Sequence, residues 1–179
     1  MSDYINYVKT QLKDWKVALL TLVFTVARVI YGIAWIQAGE HKLTWFSDGK
    51  LDSIGLIKGM VGNLAAAKND PLGINNLYAW VAQGIFVNTM PSVTDVMVVI
   101  CEILVGIVLV LGFKVFWSAL VAVYMNLQFN AAGSFNNFGY IWSDLAFMKF
   151  AKYSELIGVS GYLDFKKQQK KTAQNSVNM

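Results

Sequence analysis

Eight side chains in this sequence could bind a small polar molecule and move protons: Arg28, Glu40, His41, Lys42, Glu102, Asn126, Asn130 and Asp144. A guanidinium offers several donors at fixed geometry, which suits an anion or the carbonyl of a quinone. Imidazole and carboxyl groups exchange protons when placed within reach of a reacting oxygen. Glu40, His41 and Asp144 are therefore the candidates for carrying protons to or from a reduced quinone. Arg28, Lys42, Glu102, Asn126 and Asn130 are the candidates for holding the ring or an anion. The chain has one histidine and one cysteine, Cys101. It cannot by itself supply a bis-histidine haem, an iron–sulfur cluster or a cysteine/histidine zinc site, and it forms no internal disulfide. No metal is expected. A redox role calls for an organic cofactor, with quinone the candidate, or for another subunit.

Arg28 lies inside the otherwise apolar run Val17–Ala38, which is long enough to cross a bilayer at about 20 residues per span. At 1.5 Å rise, about 11 residues from Val17 place it roughly 16 Å deep, near the midplane. A charge at that depth is costly and faces a bundle interior with a partner. On a helix Arg28, Gly32, Trp35, Gly39 and Lys42 form one stripe, and its glycines admit a second helix closely. Glu102 lies in a second run, Val93–Leu111, roughly 12 Å from the opposite end. At those depths Arg28 and Glu102 meet near the middle of the membrane and pair, below a polar cavity formed by Glu40, His41, Asn126, Asn130 and Asp144. The same pair also reads as a purely structural bond that sets helix register.

The chain has 179 residues, 56% of them hydrophobic and 15% charged, with a mean hydropathy of +0.46. A soluble domain carries about 25% charged residues, so the expected class is all-α. The expected architecture is an integral membrane four-helix bundle with a long extracytoplasmic excursion containing interfacial helices. After an amphipathic lead-in to Lys16, the spans are Val17–Ala38, Val93–Leu111, Val115–Asn130 and Gly139–Ile157. The first is too long for a signal peptide and carries Arg28, so it reads as a retained anchor. The excursion, Leu43–Ser92, contains Pro71 and Pro91 and helical patterns over Leu51–Ala67 and Asn75–Val87. Ser92-Val-Thr-Asp95 reads as a capping box. Trp35, Trp45 and Trp80 read as interface anchors, and Cys101 as an inert bundle residue.

Lys9, Lys13, Lys16, Lys114, Lys166, Lys167, Lys170 and Lys171 fall on one side of this arrangement, and Lys42, Lys50, Lys58 and Lys68 on the other. The positive-inside rule then predicts a multi-pass plasma-membrane protein with both termini cytoplasmic. Residues 1–163 form the transmembrane domain and 164–179 a basic, disordered cytoplasmic tail. The lysine clusters suit anionic lipid, with the bilayer as partner, rather than nucleic acid.

Ala27-Arg28-x3-Gly32-x6-Gly39-x2-Lys42-Leu43 resembles the opening of DoxX/DoxD-type membrane proteins. Glu102-Ile-Leu-Val-Gly-Ile-Val-Leu-Val-Leu-Gly112 resembles their second helix. Met125-Asn126-Leu-x-Phe129, continuing to Ala132-Gly133-Ser134, resembles their third helix and its exit loop. The likeness implies a four-helix membrane bundle whose pattern residues are Arg28, Lys42 and Glu102. DoxD is the membrane subunit of a thiosulfate:quinone oxidoreductase that oxidises thiosulfate to tetrathionate, and that enzyme also has a DoxA subunit. The expectation is a membrane subunit of a quinone-linked oxidoreductase, with thiosulfate as candidate substrate and a separate DoxA-like partner. The alternative is a non-enzymatic membrane component that anchors or stabilises a redox partner. A small-solute transporter is a third option, and so few spans would then require a homo-oligomer.

Overall fold

The computed structural model describes residues 2–46 and 52–177. Lys50, and Leu51 at the head of the first excursion pattern, lie outside the described residues. Among the described residues the regular structure is all helical: α1 (Ser2–Gln11), α2 (Trp15–Glu40), α3 (Asp52–Ala65), α4 (Ile74–Ala82), α5 (Pro91–Leu111), α6 (Val115–Ala131), α7 (Phe138–Glu155) and α8 (Val159–Val177). The stretch Trp15–Trp45 and helix α5 are each long and apolar enough to cross a membrane.

The helix ends follow local chemistry. Asp14 caps α2 by accepting from the Lys16 N–H at 2.9 Å. Pro91 opens α5, where its missing N–H is harmless and its φ already helical. The helix therefore starts ahead of Ser92, with Met90 as its cap. The expected capping box does not form. Thr94 Oγ1 donates instead to the Met90 carbonyl at 2.8 Å, and Asp95 accepts from the Ser53 N–H at the start of α3 at 2.8 Å. At the far end of α5, Gly112 takes φ +63°, a left-handed conformation that ends the helix.

An apolar core around Leu109, Val115 and Phe147 is interspersed with buried polar groups, and the surface is strongly apolar. Arg28, Glu102, Asn126 and Asp144 are buried, whereas Leu22, Ile30, Leu104, Trp117 and Trp142 are exposed. Ionisable groups are rarely interior, and apolar surface this extensive requires an apolar surrounding.

Helices α2 and α5 run antiparallel along a glycine seam. A Cβ on Gly106 would lie 2.5 Å from the Gly32 carbonyl and 2.6 Å from the Ile36 side chain, and one on Gly39 would strike Ile103. Gly106→Val is expected to force the helices apart at a cost of about 1–3 kcal/mol. A fall in the detergent melting temperature would register it, and an unchanged Tm would contradict the seam.

Those contacts fix the register and overturn the expected Arg28–Glu102 pair. Gly39 stands opposite Glu102, and Arg28 opposite Gly112. The two helices are thus staggered by about a dozen residues, roughly 18 Å, instead of being flush. Arg28 is about 11 residues, roughly 16 Å, from the level of Glu102, beyond the reach of any side chain.

Arg28 meets main-chain carbonyls instead. Nη1 donates to Leu109 and Val110 (2.5 and 2.7 Å), Nη2 to Ile157 (2.7 Å) and Nε to Ser154 (3.2 Å). These carbonyls lie in the last turns of α5 and α7 or, for Ile157, just beyond α7, where both helix dipoles present their negative ends. The Glu155 carboxylate accepts from the Val115 N–H at the start of α6. Ser160 N–H donates to the Gly112 carbonyl and Ser160 Oγ accepts from Lys114 N–H. Tyr4 Oη donates to the Leu156 carbonyl at 2.6 Å, and burial pushes its hydroxyl pKa up. Six helices therefore meet at the end of the molecule where Arg28 is held.

The basic C-terminal segment is helical through Val177, where a disordered tail was expected. Lysine and glutamine are good helix formers. The helix is also anchored by aromatic contacts: Tyr162 packs on Tyr4 and Phe165 on Tyr7 at centroid distances of 5.4 and 5.2 Å. At the other end of the molecule α3 and α4 cover α5 and α6, close to the expected helical stretches. Asn63 donates to the Ala131 carbonyl at 2.8 Å and Tyr78 Oη to Gln128 at 2.8 Å. Burial, then the neighbouring Tyr124, raises the Tyr78 pKa and keeps it a donor.

Candidate functional site

The α2 stripe that begins at Arg28 ends on a chamber. Tyr31, Ala34, Trp35, Ala38 and Lys42 line one side of a cavity of about 370 Å³. Glu102 of α5, Asn126 and Phe129 of α6, and Tyr140 of α7 line the others, with Leu56, Ser134 and Asn137 towards the covering helices. Ligand pockets begin at about 300 Å³, so the chamber can take a ring-sized molecule.

Two polar groupings face each other across it. On one wall Lys42 Nζ bonds both Glu102 oxygens, at 2.6 and 2.7 Å. Glu102 is 1% exposed and Lys42 24%, so the carboxylate is sealed while the ammonium reaches the chamber. The rings of Phe129 and Trp45 lie 5.7 and 5.9 Å from Nζ and add cation–π contact. On the other wall Asn126 Nδ2 donates to Asp144 Oδ2 at 2.8 Å and to the Tyr31 hydroxyl at 3.2 Å. Asp144 is fully buried, and its Oδ1 has no partner. Tyr31 stacks on Tyr140 and Phe147 and meets Trp35 edge-on. Trp35 is 6% exposed, and its indole N–H, beside the Tyr31 hydroxyl, makes no hydrogen bond of full geometry.

The proposed residues therefore separate into groups. Lys42, Glu102 and Asn126 come together on the chamber lining, and Asp144 sits buried behind Asn126, bonded to it but not itself lining the cavity. Arg28 does not, because it is committed to carbonyls at the far end. Glu40 and His41 are exposed at the C-terminal end of α2, outside the chamber lining. Glu40 follows Gly39 on the helix and so turns about 100° from the inward stripe. Asn130 is half-buried one turn beyond Asn126 and does not line the cavity. Trp35, Tyr31 and Tyr140 went unread as site residues. Tyr31 and Trp35 share a stripe with Lys42, which was the available signal. Tyr140 had none, because its place depends on how α7 packs.

No curated protein and no solved structure matches the chain. The sequence pattern of the DoxX family matches residues 23–129, well over half of the chain. That interval holds the glycine seam, the Lys42–Glu102 pair, Trp35 and Asn126, so the matched region carries most of the chamber. The chain belongs to the DoxX family.

Proposed function

We propose that this protein is the membrane subunit of a quinone-linked oxidoreductase and that the chamber receives the quinone ring. One observation carries this: a buried indole N–H without a well-formed hydrogen bond, on the wall of a cavity of ring-holding size. An unsatisfied buried donor costs about 1–3 kcal/mol, and a carbonyl oxygen placed before it recovers that cost. A bound quinone supplies two-electron, two-proton redox chemistry. Tyr31, Phe129 and Tyr140 provide flat walls for the ring. Trp35 donates to one carbonyl, and Lys42, fixed by Glu102, holds positive charge nearby. Asp144, with its free Oδ1, is the carboxyl that takes up and releases a proton, with Asn126 and Tyr31 orienting it. Glu40 and His41, exposed at the same end of α2, exchange protons with water. Lys42 is already bonded to both oxygens of Glu102 and Arg28 is held by carbonyls, so neither is free to take a second anion. A sulfur oxyanion such as thiosulfate is therefore assigned to a separate DoxA-like partner.

In this reading α2, α5, α6 and α7 cross the plasma membrane. The convergence of α1, the α5–α6 turn and α8 at one end, together with their eight lysines, supports a cytoplasmic location for both termini. Helices α3 and α4 then cover the outer face. The satisfied Lys42–Glu102 pair also favours a second reading, a scaffold that anchors a redox partner without binding quinone.

Fluorescence separates the two. Titrating the detergent-solubilised full chain with a tail-less benzoquinone is expected to give a saturable quench from one of the six tryptophans. That component should vanish in Trp35→Phe. A linear, non-saturating quench that is equal in both proteins would overturn the quinone reading and leave the scaffold.

A further inference from the structure

A second cavity, of about 160 Å³, adjoins the chamber between α3, α5 and α6. Met60, Met97, Val98 and Met125 are among its lining residues, and Met97, Val121 and Tyr124 on its rim are exposed on the outer face of α5 and α6. Leu56 and Phe129 line both cavities. Consecutive residues divide between them. Cys101 faces the apolar cavity and Glu102 the chamber, and on the next helix Met125 and Asn126 divide in the same way. A volume of this size falls below the roughly 300 Å³ at which ligand pockets begin, so it suits part of a molecule. Methionine side chains adapt to a flexible chain of undefined conformation.

We propose that the apolar cavity holds the hydrocarbon tail of the same molecule whose ring occupies the chamber. The ligand is thus a long-chain quinone that enters sideways between α5 and α6 and passes its tail across the Phe129–Leu56 wall. This rests on the quinone reading above and adds a route and a tail site to it. In a bilayer the tail gains little by leaving lipid, since acyl chains are as apolar as the cavity. The cavity therefore sets the position of the tail more than the affinity.

The test is accordingly positional. A benzoquinone with a ten-carbon chain ending in a diazirine is photolysed with the full-length protein in detergent, and labelled peptides are read by mass spectrometry. Label is expected to concentrate on α3, α5 and α6 peptides that carry Met60, Met97, Val98 or Met125. An excess of unlabelled tailed quinone should suppress it at least tenfold. Val98→Trp, which fills the cavity, should redirect the label while the tail-less ring still quenches Trp35. The wild-type labelling pattern stands independently should that variant fail to fold. Saturable ring binding with label spread equally over outward residues such as Leu22 and Ile30 would overturn the tail site and leave the ring site intact. So would a diazirine phospholipid that labels the cavity equally and resists displacement by tailed quinone. If no ring binding is seen at all, both inferences fall.

Discussion

Arg28→Met is expected to destabilise the protein by about 3–5 kcal/mol, the range for stripping a buried charged group of its partners. Hydrogen bonds to charged groups are worth about 1.5–3 kcal/mol each, so four of them would suggest more. The loss is smaller because two carbonyls keep other donors: Leu109 accepts from the Gly112 N–H and Ser154 from Thr25 Oγ1. Val110 and Ile157 bear most of it. Arg28→Lys should fall between methionine and wild type, because an ammonium cannot fork towards two helix ends at once. The Tm order wild type, lysine, methionine in detergent is the check, and a methionine variant as stable as wild type would refute the carbonyl anchorage. Ring binding should survive in Arg28→Lys, since the chamber lies about 16 Å along α2.

Lys42→Met should produce a loss of similar size for a different reason. It leaves the Glu102 carboxylate, 1% exposed, without its counter-charge, and an uncompensated buried charge costs about 3–5 kcal/mol. Glu102→Gln should cost less, because Lys42 is 24% exposed and can turn to water. The double variant Lys42→Met/Glu102→Met should return close to wild-type stability, as apolar replacement of a buried ion pair commonly does. Its ring affinity should fall, because the positive charge beside the ring is gone. Equal Tm losses in the two single variants would contradict the burial asymmetry. A double variant with undiminished ring quenching would make the pair purely structural.

Much of the fold was legible because it rests on periodicity. The stripe Arg28, Gly32, Trp35, Gly39 is the buried face of α2, and Asp95, Glu102 and Gly106 are buried on α5. The family pattern through Arg28, Lys42 and Glu102 was legible for the same reason. The partners of the charges were not, because pairing depends on the axial stagger of two helices. Apolar run ends carry no record of stagger; the contacts of Gly32 with Gly106 and of Gly39 with Ile103 set it. The Asn126–Asp144 bond joins residues 18 apart across a turn, a spacing with no periodic signature. Trp35 was read from its residue type as an interface anchor, although its place on the inward stripe pointed to the interior.

The clamp around Arg28 also bears on the order in which the protein is made. Two of the carbonyls that receive it lie 126 and 129 residues downstream. Helix α2 is made long before these two groups, so its cation has only the Leu109 and Val110 carbonyls of this set until α7 follows. A nascent chain halted before α7 would hold that helix unsettled at the insertion machinery. Synthesis of α7 is then what commits α2 to its final seat.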